Sequence, residues 1–586
     1  MYELERLKLK YKLLHNLPHD PQTCLGWLLD ARGIDDIEGY VYPSQDYELS
    51  PNLLDNIDEA AMTLLKHLKE KSAMLLVVDS DADGFCSSAM MYNYIKHFFP
   101  EATLDYICHE HKAHGLDDII KDVLESDYDL IICPDASSFD IEEHKLLQES
   151  GKQVLVIDHH DAPEYSKYAV VVNNQLSEKY TNKGLCGAGV VYKFLMVMDE
   201  YLNSKGHSHN YIDLCALANV ADCMSPTNLE TRYYITEGLK PQNIKNDGFK
   251  AFIKAQEFSL SKAAGKDMDY MKVAFYIAPL INAITRVGTM DEKRLLFEAF
   301  THPNDLVQSG KRGAKVGDME KVAVEAARIA TNARARQNRV KEKAEELLDY
   351  RIHKFDLLEN KIIVVEVYEE DKIPQELTGL LATQFVSKYG RPCMVVRRNE
   401  EGLLQGSLRG NENFQEVPDF KAFLLNSGIM NYVEGHPNAA GVGIYEKNLD
   451  SLFDYANTTI SDEGLENIYG VDYIFDESEN FAQIAVNLAS DPSLWGNDVY
   501  EPKVVVEHVP VNGLFIMGAD KSSSKWSHNG VEYVRFKDTD FIDEIQQYER
   551  CEITVYGTLA VNEWAGRKTP QIRIEDWEVR DTSDDF

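Results

Sequence analysis

The sequence predicts a multidomain α/β protein with a parallel-sheet domain, a long connecting helix, a smaller α/β domain and a C-terminal β-barrel. Three patterns predict this fold. Short apolar runs alternate with helix-like segments between about residues 73 and 225, and strong helix formers then continue without Pro or Gly through residues 318–352. Residues 503–586 contain short alternating strands separated by glycine turns. At 586 residues, the chain is long enough for three or four domains of ~100 to 200 residues each.

Composition narrows the class of protein. Hydrophobic residues make up 44% of the chain and aromatic residues 10%, which predicts packed cores rather than disorder. The net charge of −37 argues against a histone-like or membrane-surface binder. A polyanionic substrate would therefore need local basic patches or metal ions.

Cysteine usage and hydropathy predict the compartment. The nine cysteines are scattered without a C-x-x-C pair, which is typical of a reduced chain in the cytoplasm of a bacterial cell, or of the host cell if the chain is viral. No run of ~18 apolar residues and no signal-peptide pattern occur, so we expect no membrane association. We expect a monomer.

A catalytic domain is expected over residues 73–315, with residues 1–72 packing on it as an N-terminal segment. Its apolar runs "AMLLVVD", "TLDYIC", "DLIICPD", "QVLVIDHH" and "AVVVNN" predict a buried parallel sheet with crossover helices. Ligands of such open sheets bind beyond the carboxyl ends of the strands. Because Asp79, Asp135 and Asp158 to His160 each follow one of these runs, a single site is expected there.

Closely spaced carboxylates predict a metal centre at this edge. Asp79, Asp81 and Asp83 alternate directly after "MLLVV" and would repel one another without a positive charge between them. Carboxylates with one or two imidazoles suit two divalent cations, Mn²⁺ first and Mg²⁺ second. Such a pair points to hydrolysis of a phosphoester or phosphoanhydride. The alternative is that each Asp caps a helix, which explains a single Asp better than the whole set.

The remaining segments complete the predicted domain order. Residues 316–352 form the connecting helix, 353–450 the smaller α/β domain, 451–502 a connecting segment and 503–586 the barrel. The helix carries a basic cluster that either contacts a phosphate backbone or is a solvated spacer. This cluster consists of Arg328, Arg334, Arg336, Arg339, Lys341 and Lys343.

An ordered set of motifs resembles the DHH phosphoesterases, and more narrowly the RecJ-type single-strand-specific exonucleases. The set comprises "DSDADG", "PDAS", "VIDHH", "ANVADCM", "APLINAITRVG", "GSLRG" and "GHPNAAG", followed by a terminal segment that resembles the family's OB-fold domain. The resemblance implies a DHH catalytic domain, a DHH-associated C-terminal domain and an OB-fold barrel. The ordered set is far more specific than any one of its motifs.

The resemblance also assigns roles to residues. It implies metal ligands at Asp79, Asp81, Asp135, His159 and Asp222, a catalytic imidazole at His160 oriented by Asp158, and a weaker supporting role for Asp83. It implies that His436 faces the scissile phosphate, that Ser407 and Arg409 hold phosphates, and that Asn282 and Arg286 contact substrate. Trp564, Arg567 and Lys568 would bind single-stranded bases and phosphates. Three alternatives stay open: an ordinary turn at Ser407, a helix cap or ion pair at Asn282 and Arg286, and a core position for Trp564.

Two departures from the family pattern stand out. The stretch "DYICHEHKAHGL" lacks the Arg that helps the family bind a terminal 5′ phosphate, and His111 or Lys112 would have to replace it. Cys186 replaces a Ser in "CGAGVV", where the glycines carry the backbone geometry.

The expected function is a metal-dependent 5′ to 3′ exonuclease that degrades single-stranded DNA to mononucleotides in recombination, repair or replication. Single-strand-binding protein and replisome or recombination proteins are the expected protein partners. One alternative is a DHH-family phosphodiesterase acting on short oligonucleotides or cyclic dinucleotides, although such relatives lack the barrel. The other is an inactive replication scaffold, which would be expected to have lost metal ligands that this chain retains.

Overall fold

A computed structural model describes residues 9–110, 115–263, 265–564 and 567–583, with residue 564 described by its backbone alone. The strands are β1 (Lys10–Leu13), β2 (Met74–Val78), β3 (Leu104–Cys108), β4 (Leu130–Pro134), β5 (Gln153–Asp158), β6 (Val170–Asn173), β7 (Leu306–Gln308), β8 (Met319–Lys321), β9 (Ile363–Glu366), β10 (Cys393–Arg398), β11 (Leu403–Arg409), β12 (Tyr432–His436), β13 (Ala439–Tyr445), β14 (Ile468–Val471), β15 (Tyr473–Asp476), β16 (Lys503–Pro510), β17 (Phe515–Met517), β18 (Ser523–His528), β19 (Val531–Arg535), β20 (Cys551–Trp564) and β21 (Arg567–Asp581).

The α-helices are α1 (Cys24–Ala31), α2 (Ile37–Val41), α3 (Ile57–Glu70), α4 (Ala82–Phe98), α5 (Ile120–Glu125), α6 (Ile141–Glu149), α7 (Gly187–Leu202), α8 (Ile212–Ala221), α9 (Leu229–Gly238), α10 (Asp247–Ala255), α11 (Glu257–Leu260), α12 (Tyr270–Lys272), α13 (Ala278–Val287), α14 (Met290–Thr301), α15 (Val322–Lys354), α16 (Thr378–Tyr389), α17 (Phe420–Ser427), α18 (Leu449–Thr459), α19 (Ala482–Ala489) and α20 (Thr539–Ile545). Among the described residues, no helix is both long and apolar enough to cross a membrane.

The described residues form two compact units. The first unit contains Gln22–Arg334 and Ala489–Glu501, and the second contains the remaining described residues before 22 and after 334. The second unit therefore uses three separate stretches of the chain. Each unit is described by itself below.

A five-stranded parallel sheet forms the centre of the first unit, in the order β3-β2-β4-β5-β6. Its strands are almost continuously apolar because helices cover both faces. Leu76, Ile132 and Leu155 pack towards α3, α4 and α7, whereas Val77 and Ile131 pack towards α5 and α6. The predicted parallel sheet is confirmed, and its carboxyl edge gathers the loops that follow β2, β4, β5 and β6.

A buried guanidinium attaches the late segment Ala489–Glu501 to the first unit. Arg232 on α9 donates from Nε to the Tyr40 carbonyl (3.1 Å) and from Nη1 to the Ser493 carbonyl (2.5 Å), and its guanidinium lies over the Tyr40 ring. The sequence analysis placed residues 489–501 in a connecting segment. These contacts explain why the segment instead belongs to the first unit.

The connecting helix α15 spans 33 residues, or ~50 Å. It begins at Val322 rather than at residue 316 because β7 and β8 pair as a short antiparallel hairpin immediately before it. Within the predicted basic cluster, Arg328 pairs with Glu325, and Arg334 donates to the Phe275 carbonyl. A phosphate contact by the other basic residues of this helix stays a prediction.

The second unit begins with a smaller α/β sheet in the order β12-β13-β11-β10-β9. Side chains of α15 and α16 cover one face, where Leu348 and Phe385 belong to the same buried cluster as the strand residue Val395. Side chains of α17 and α18, such as Phe420 and Leu452, cover the other face. The predicted smaller α/β fold is confirmed.

A second sheet of this unit contains seven strands in the order β15-β16-β20-β21-β19-β18-β17. It starts at Tyr473, before the expected boundary at 503, because β15 pairs in parallel with β16.

Residues 10–13 do not pack on the catalytic domain as expected. They form β1, which pairs in parallel with β14 of the second unit.

A buried ion pair in the first unit leads to a stability prediction. Lys193 on α7 and Glu230 on α9 are fully buried, and Lys193 Nζ lies 2.6 Å from Glu230 Oε1. Glu230→Gln should leave the buried ammonium with a more distant counter-ion, Glu48 Oε1 at 4.0 Å, and lower the free energy of unfolding by about 3–5 kcal/mol. The measurement is urea denaturation followed by near-UV circular dichroism. Glu257→Gln removes the exposed partner of Lys254 and should cost at most ~1 kcal/mol; equal losses in the two variants would contradict the prediction.

Candidate active site

Three acidic residues follow separate strands at the carboxyl edge of the parallel sheet, and a fourth follows α8. Asp79 comes directly after β2, Asp135 after β4, Asp158 ends β5, and Asp222 follows α8. Asp81 caps α4, because its Oδ1 accepts a hydrogen bond from Gly84 N (3.0 Å). The capping interpretation is therefore correct for Asp81, but it does not account for the cluster around it.

The predicted ligands form overlapping groups whose ligand atoms lie within 4.8 Å of one another. The groups are Asp79 with Asp81 and Asp135; Asp135 with His159 and His160; and Asp83 with His159 and Asp222. His159 Nε2 lies 3.3 Å from Asp135 Oδ1, 3.6 Å from Asp222 Oδ2 and 3.8 Å from Asp83 Oδ2. Asp135 belongs to two groups, as a bridging ligand would.

The cluster contains more negative charge than its protein surroundings can stabilise. Asp135 is 1% exposed, and its Oδ1 accepts no hydrogen bond from the residues that the structure describes. Burial, together with the charges of Asp83, Asp81, Asp79 and Asp222, raises the pKa of Asp135 well above its ordinary value. Burial and the neighbouring carboxylates likewise raise the pKa of Asp222 to about 8. An orphaned carboxylate oxygen and a donor set of oxygens and imidazoles fit divalent cations.

His160 is held in a different environment from His159. Its Nδ1 lies 2.8 Å from Asp158 Oδ1, and 44% of its side chain is exposed. Burial lowers the pKa of His160, but the hydrogen bond and charge of Asp158, with the charges of Asp79 and Asp222, outweigh it and raise the pKa to about 9. For His159 burial dominates and lowers the pKa. The two imidazoles are thus suited to different tasks: a neutral ligand and a proton donor.

Asp158 is the centre of a hydrogen-bond network that fixes the backbone of both histidines and the imidazole of His160. Its Oδ1 accepts from His159 N (2.7 Å) and His160 N (3.2 Å), and its Oδ2 accepts from Ser138 N (3.0 Å). These bonds join the loop after β4 to the loop after β5. The arrangement agrees with the orienting role expected for Asp158.

The sequence analysis assigned no role to Asn173, which the structure places behind His160. Asn173 is fully buried at the end of β6, and its Nδ2 donates to the His160 carbonyl and to Ser138 Oγ, both at 2.9 Å. Its Oδ1 accepts from Gln175 N (2.7 Å). The available signal was its position after "AVVV", at the same sheet edge as the acidic residues.

Asp83 is closer to the cluster than the sequence analysis expected. Its two oxygens accept from Gly187 N (2.7 Å) and Ala188 N (2.8 Å) at the start of α7, while its Oδ2 also approaches His159. A Cβ at position 187 would lie 2.2 Å from Asp135 Oδ1, so only glycine allows this approach. The geometry adds Asp83 to the candidate ligands.

A pocket of about 190 Å³ opens beside the carboxylates. It is lined by Asp81, Asp83 and Asp222 and, from α13, by Asn282 and Arg286. The structure therefore brings both predicted substrate-contacting residues of α13 to the carboxylate cluster. Arg286 supplies a positive charge where the phosphate of a substrate would add negative charge.

The remaining predicted phosphate-binding residues lie in the second unit. Ser407 and Arg409 are on β11; Ser407 Oγ lies 2.9 Å from Thr378 Oγ1 at the start of α16. A Cβ at Gly379 would lie 2.6 Å from Arg409 Nη2, so this glycine lets the guanidinium approach the helix start. His436 is exposed at the end of β12.

Two regions of the prediction fall partly outside the described residues. His111 and Lys112, the suggested replacements for the missing Arg, lie outside them. The preceding His109 is buried, and its carbonyl and that of Glu110 accept from Lys293 Nζ, each at 2.9 Å. In the second unit, Arg567 and Lys568 are exposed at the start of β21, and the side chain of Trp564 is outside the described part of the chain.

Comparisons with known proteins agree with this architecture. The family model of the DHH family, N-terminal domain, matches residues 73–219, and that of the RecJ OB domain matches residues 476–576. YorK of Bacillus subtilis strain 168, assigned as an SPbeta prophage-derived single-strand DNA-specific exonuclease, is 36% identical over 583 residues, covering 97% of this chain and 98% of YorK. The single-stranded-DNA-specific exonuclease RecJ of the same strain is 24% identical over 572 residues, covering 94% of this chain and 67% of RecJ.

Solved structures give the same fold. RecJ of Thermus thermophilus in complex with Mn²⁺ matches 98% of this chain and 80% of its own, with a TM-score of 0.69 and 20% identity. The complex of that protein with Mg²⁺ matches with a TM-score of 0.63 and 19% identity, over 97% and 78% of the two chains. The chain belongs to the family of RecJ-type single-strand DNA-specific exonucleases. The resemblance inferred from its motifs is confirmed.

The charge imbalance predicts how metal ions affect stability. In EDTA, Asp135→Asn should melt at a higher temperature than the wild type, because it removes one of several mutually repelling buried carboxylates. Added Mn²⁺ should raise the melting temperature of the wild type by binding the folded state, but raise that of the variant much less. Differential scanning fluorimetry measures both effects.

The control for this experiment is Asp122→Asn, which alters an exposed carboxylate on α5. It should behave as the wild type does with and without Mn²⁺. If added Mn²⁺ left the melting temperature of the wild type unchanged, this result would contradict the expected metal centre.

Proposed function

We propose that the chain is a metal-dependent exonuclease that releases mononucleotides from the 5′ end of single-stranded DNA. The observation that carries the proposal is the buried cluster in which Asp135 is shared between two groups of candidate ligands. The chain matches 98% of the length of YorK and 67% of the length of RecJ from Bacillus subtilis, both of which are named as single-strand-specific exonucleases. It also includes the region that the RecJ OB model matches. That region favours long strands over short oligonucleotides or cyclic dinucleotides as substrates.

Six residues would hold the cations. We assign Asp79, Asp81 and Asp135 to one Mn²⁺, and Asp135, His159, Asp222 and Asp83 to a second, with Mg²⁺ as the alternative ion. When bound, the cations supply the Lewis acidity that phosphodiester hydrolysis needs. RecJ of Thermus thermophilus, which has the same fold, was crystallised with Mn²⁺ and with Mg²⁺, and this supports the choice of ions.

The protein's own groups would position the strand and move the proton. His160, protonated at neutral pH by its bond to Asp158, would donate that proton to the leaving oxygen. Arg286 and Asn282 would bind the phosphate that enters the pocket. In the second unit, Ser407 and Arg409 would hold further phosphates and His436 would face the scissile one.

The biological setting follows from this activity. We propose roles in DNA recombination, repair or replication, a cytoplasmic location, a monomeric state, and association with single-strand-binding or replisome proteins. Binding of the DNA end by His111 or Lys112, in place of the missing Arg, stays a prediction.

The proposed activity predicts the products from a single-stranded DNA of ~50 nucleotides, labelled internally, in Mn²⁺. The wild type should release labelled mononucleotides, and Asp135→Asn should release none, because its shared ligand is lost. Substrates with a 5′ phosphate and a 5′ hydroxyl should be compared by gel electrophoresis, since their rate ratio reports on end recognition. Release of short oligomers by both proteins would contradict the proposal, and no release by the wild type would favour an inactive scaffold.

The role of His160 predicts a specific kinetic defect. His160→Gln keeps a hydrogen-bonding group but cannot donate the proton, so kcat should fall by about 10² to 10⁴ while KM changes little. Steady-state kinetics on the same strand measure this. The Mn²⁺-dependent rise in melting temperature should persist in the variant; a rise in KM with unchanged kcat would assign His160 to strand binding instead.

A further inference from the structure

The proposed metal ligand Asp222 lies at the C-terminal end of α8, where the backbone reverses direction. Asp222 is the C-cap residue of this helix. Beyond it, Met224 N donates to the Asn219 carbonyl (2.8 Å), and Cys223 N donates to the Val220 carbonyl (3.1 Å). These two bonds form a Schellman motif, in which the residue after the C-cap adopts a left-handed conformation. The placement of the Asp222 carboxylate therefore depends on the conformation of Cys223.

Cysteine is an unfavourable residue for this turn. The φ of Cys223 is 56°, in the left-handed region where a Cβ crowds the backbone and where glycine is usually found. Such a residue persists only where neighbouring groups hold it in place. Asn497 supplies one such group, because its Nδ2 donates to the Cys223 carbonyl (2.8 Å). A side-chain amide from a distant part of the chain thus supports the turn beside Asp222.

The late segment Ala489–Glu501 fixes the position of Asn497. Trp495 and Val499 are buried on either side of it. Gly496 N donates to the Val499 carbonyl (2.9 Å), and this bond joins the two ends of the turn that carries Asn497. The side-chain amide is therefore presented by a fixed turn of the first unit.

The contact adds the late segment to a site that is otherwise built from residues 79–222. Asp222 Oδ2 lies 3.6 Å from His159 Nε2, in the group of ligands that we assign to the second cation. Groups that orient a metal ligand affect how tightly the ion is bound. We propose that Asn497 is a positioning residue for the second cation, because its bond to Cys223 holds the turn that places the Asp222 carboxylate. This inference rests on the proposed function.

Binding of Mn²⁺ to the full-length protein tests the proposal. Free Mn²⁺ is quantified by electron paramagnetic resonance during a titration, and the wild type should bind two ions per chain. Asn497→Ala should weaken the binding of one ion roughly tenfold and leave the other unchanged. Asn497→Leu has a similar shape and no charge but lacks the donor, so it should weaken the same ion. Unchanged binding of both ions in these variants would overturn the proposal.

Tyr40→Phe is the matched control for a role that only anchors the late segment. The Tyr40 hydroxyl donates to the Leu494 carbonyl (2.6 Å), so this variant also removes one hydrogen bond from the late segment, but it leaves the turn beside Asp222 intact. It should lower the melting temperature in EDTA and leave the affinity for both ions unchanged. An equal loss of Mn²⁺ affinity in Tyr40→Phe and Asn497→Ala would overturn a specific role for Asn497.

Cys223→Gly tests the conformational part of the proposal. Glycine adopts the left-handed conformation without strain, so the turn would no longer need the Asn497 amide. Cys223→Gly alone should change the Mn²⁺ affinity little, and adding it to Asn497→Ala should restore most of the lost affinity. If the double variant binds Mn²⁺ as weakly as Asn497→Ala does, the proposed mechanism is wrong.

The two proposals can fail separately. If the wild type binds two Mn²⁺ ions and Asn497→Ala binds them equally well, only the role of Asn497 is refuted. If Asn497→Ala weakens one ion but the wild type degrades no DNA, only the exonuclease function is refuted. A wild type that binds no Mn²⁺ would overturn both. In an active enzyme, DNA degradation by Asn497→Ala should return at high Mn²⁺, and inactivity at saturating Mn²⁺ would contradict a role confined to ion binding.

Discussion

Mutual repulsion among buried carboxylates is the constraint on which the rest of the first unit depends. A parallel sheet brings the loops after β2, β4 and β5 to one edge, where Asp79, Asp81, Asp83 and Asp135 are joined by Asp222 from α8. The described side chains around them supply less positive charge than would balance these groups, so the protein must hold them against their repulsion. It does so with rigid backbone contacts: the amides at the start of α7 hold Asp83, and the capped start of α4 holds Asp81.

Hydrogen bonds around Asp158 and Asn173 connect the two histidines to the rest of the candidate site. One oxygen of Asp158 binds the His160 imidazole and accepts from the backbone amides of both histidines, and the other accepts from Ser138 in the loop that follows Asp135. Asn173 fixes the His160 backbone from the next strand. The proposed metal ligands and the proposed proton donor are therefore parts of one hydrogen-bonded frame, and a change in any loop would shift more than one of them.

The sequence allowed most of the first unit to be predicted, for physical reasons that vary between residues. Five buried parallel strands leave continuous apolar runs, and their carboxyl ends define where ligands bind, so Asp79, Asp135 and His159 could be placed together. The contacts of Asp83 could not be predicted, because its partners are backbone amides of Gly187 and Ala188, about a hundred residues away. Asn173 could not be recognised, since its importance lies in buried hydrogen bonds to the His160 carbonyl and Ser138. Residues 10–13 were assigned to the wrong unit because the sequence of a four-residue edge strand does not indicate which distant strand it pairs with.

The pairing of β1 with β14 has a consequence for how the chain is made. Lys10 is paired with Ile468, so β1 has no partner until more than 450 further residues have been synthesised. At ~5 to 20 residues per second, that strand waits roughly 20 to 90 s. The helices and the parallel sheet of the first unit have far closer contacts in sequence and can assemble during this interval. The second unit is therefore completed late, and an unpaired, partly apolar strand has to be kept from other chains in the cell until its partner appears.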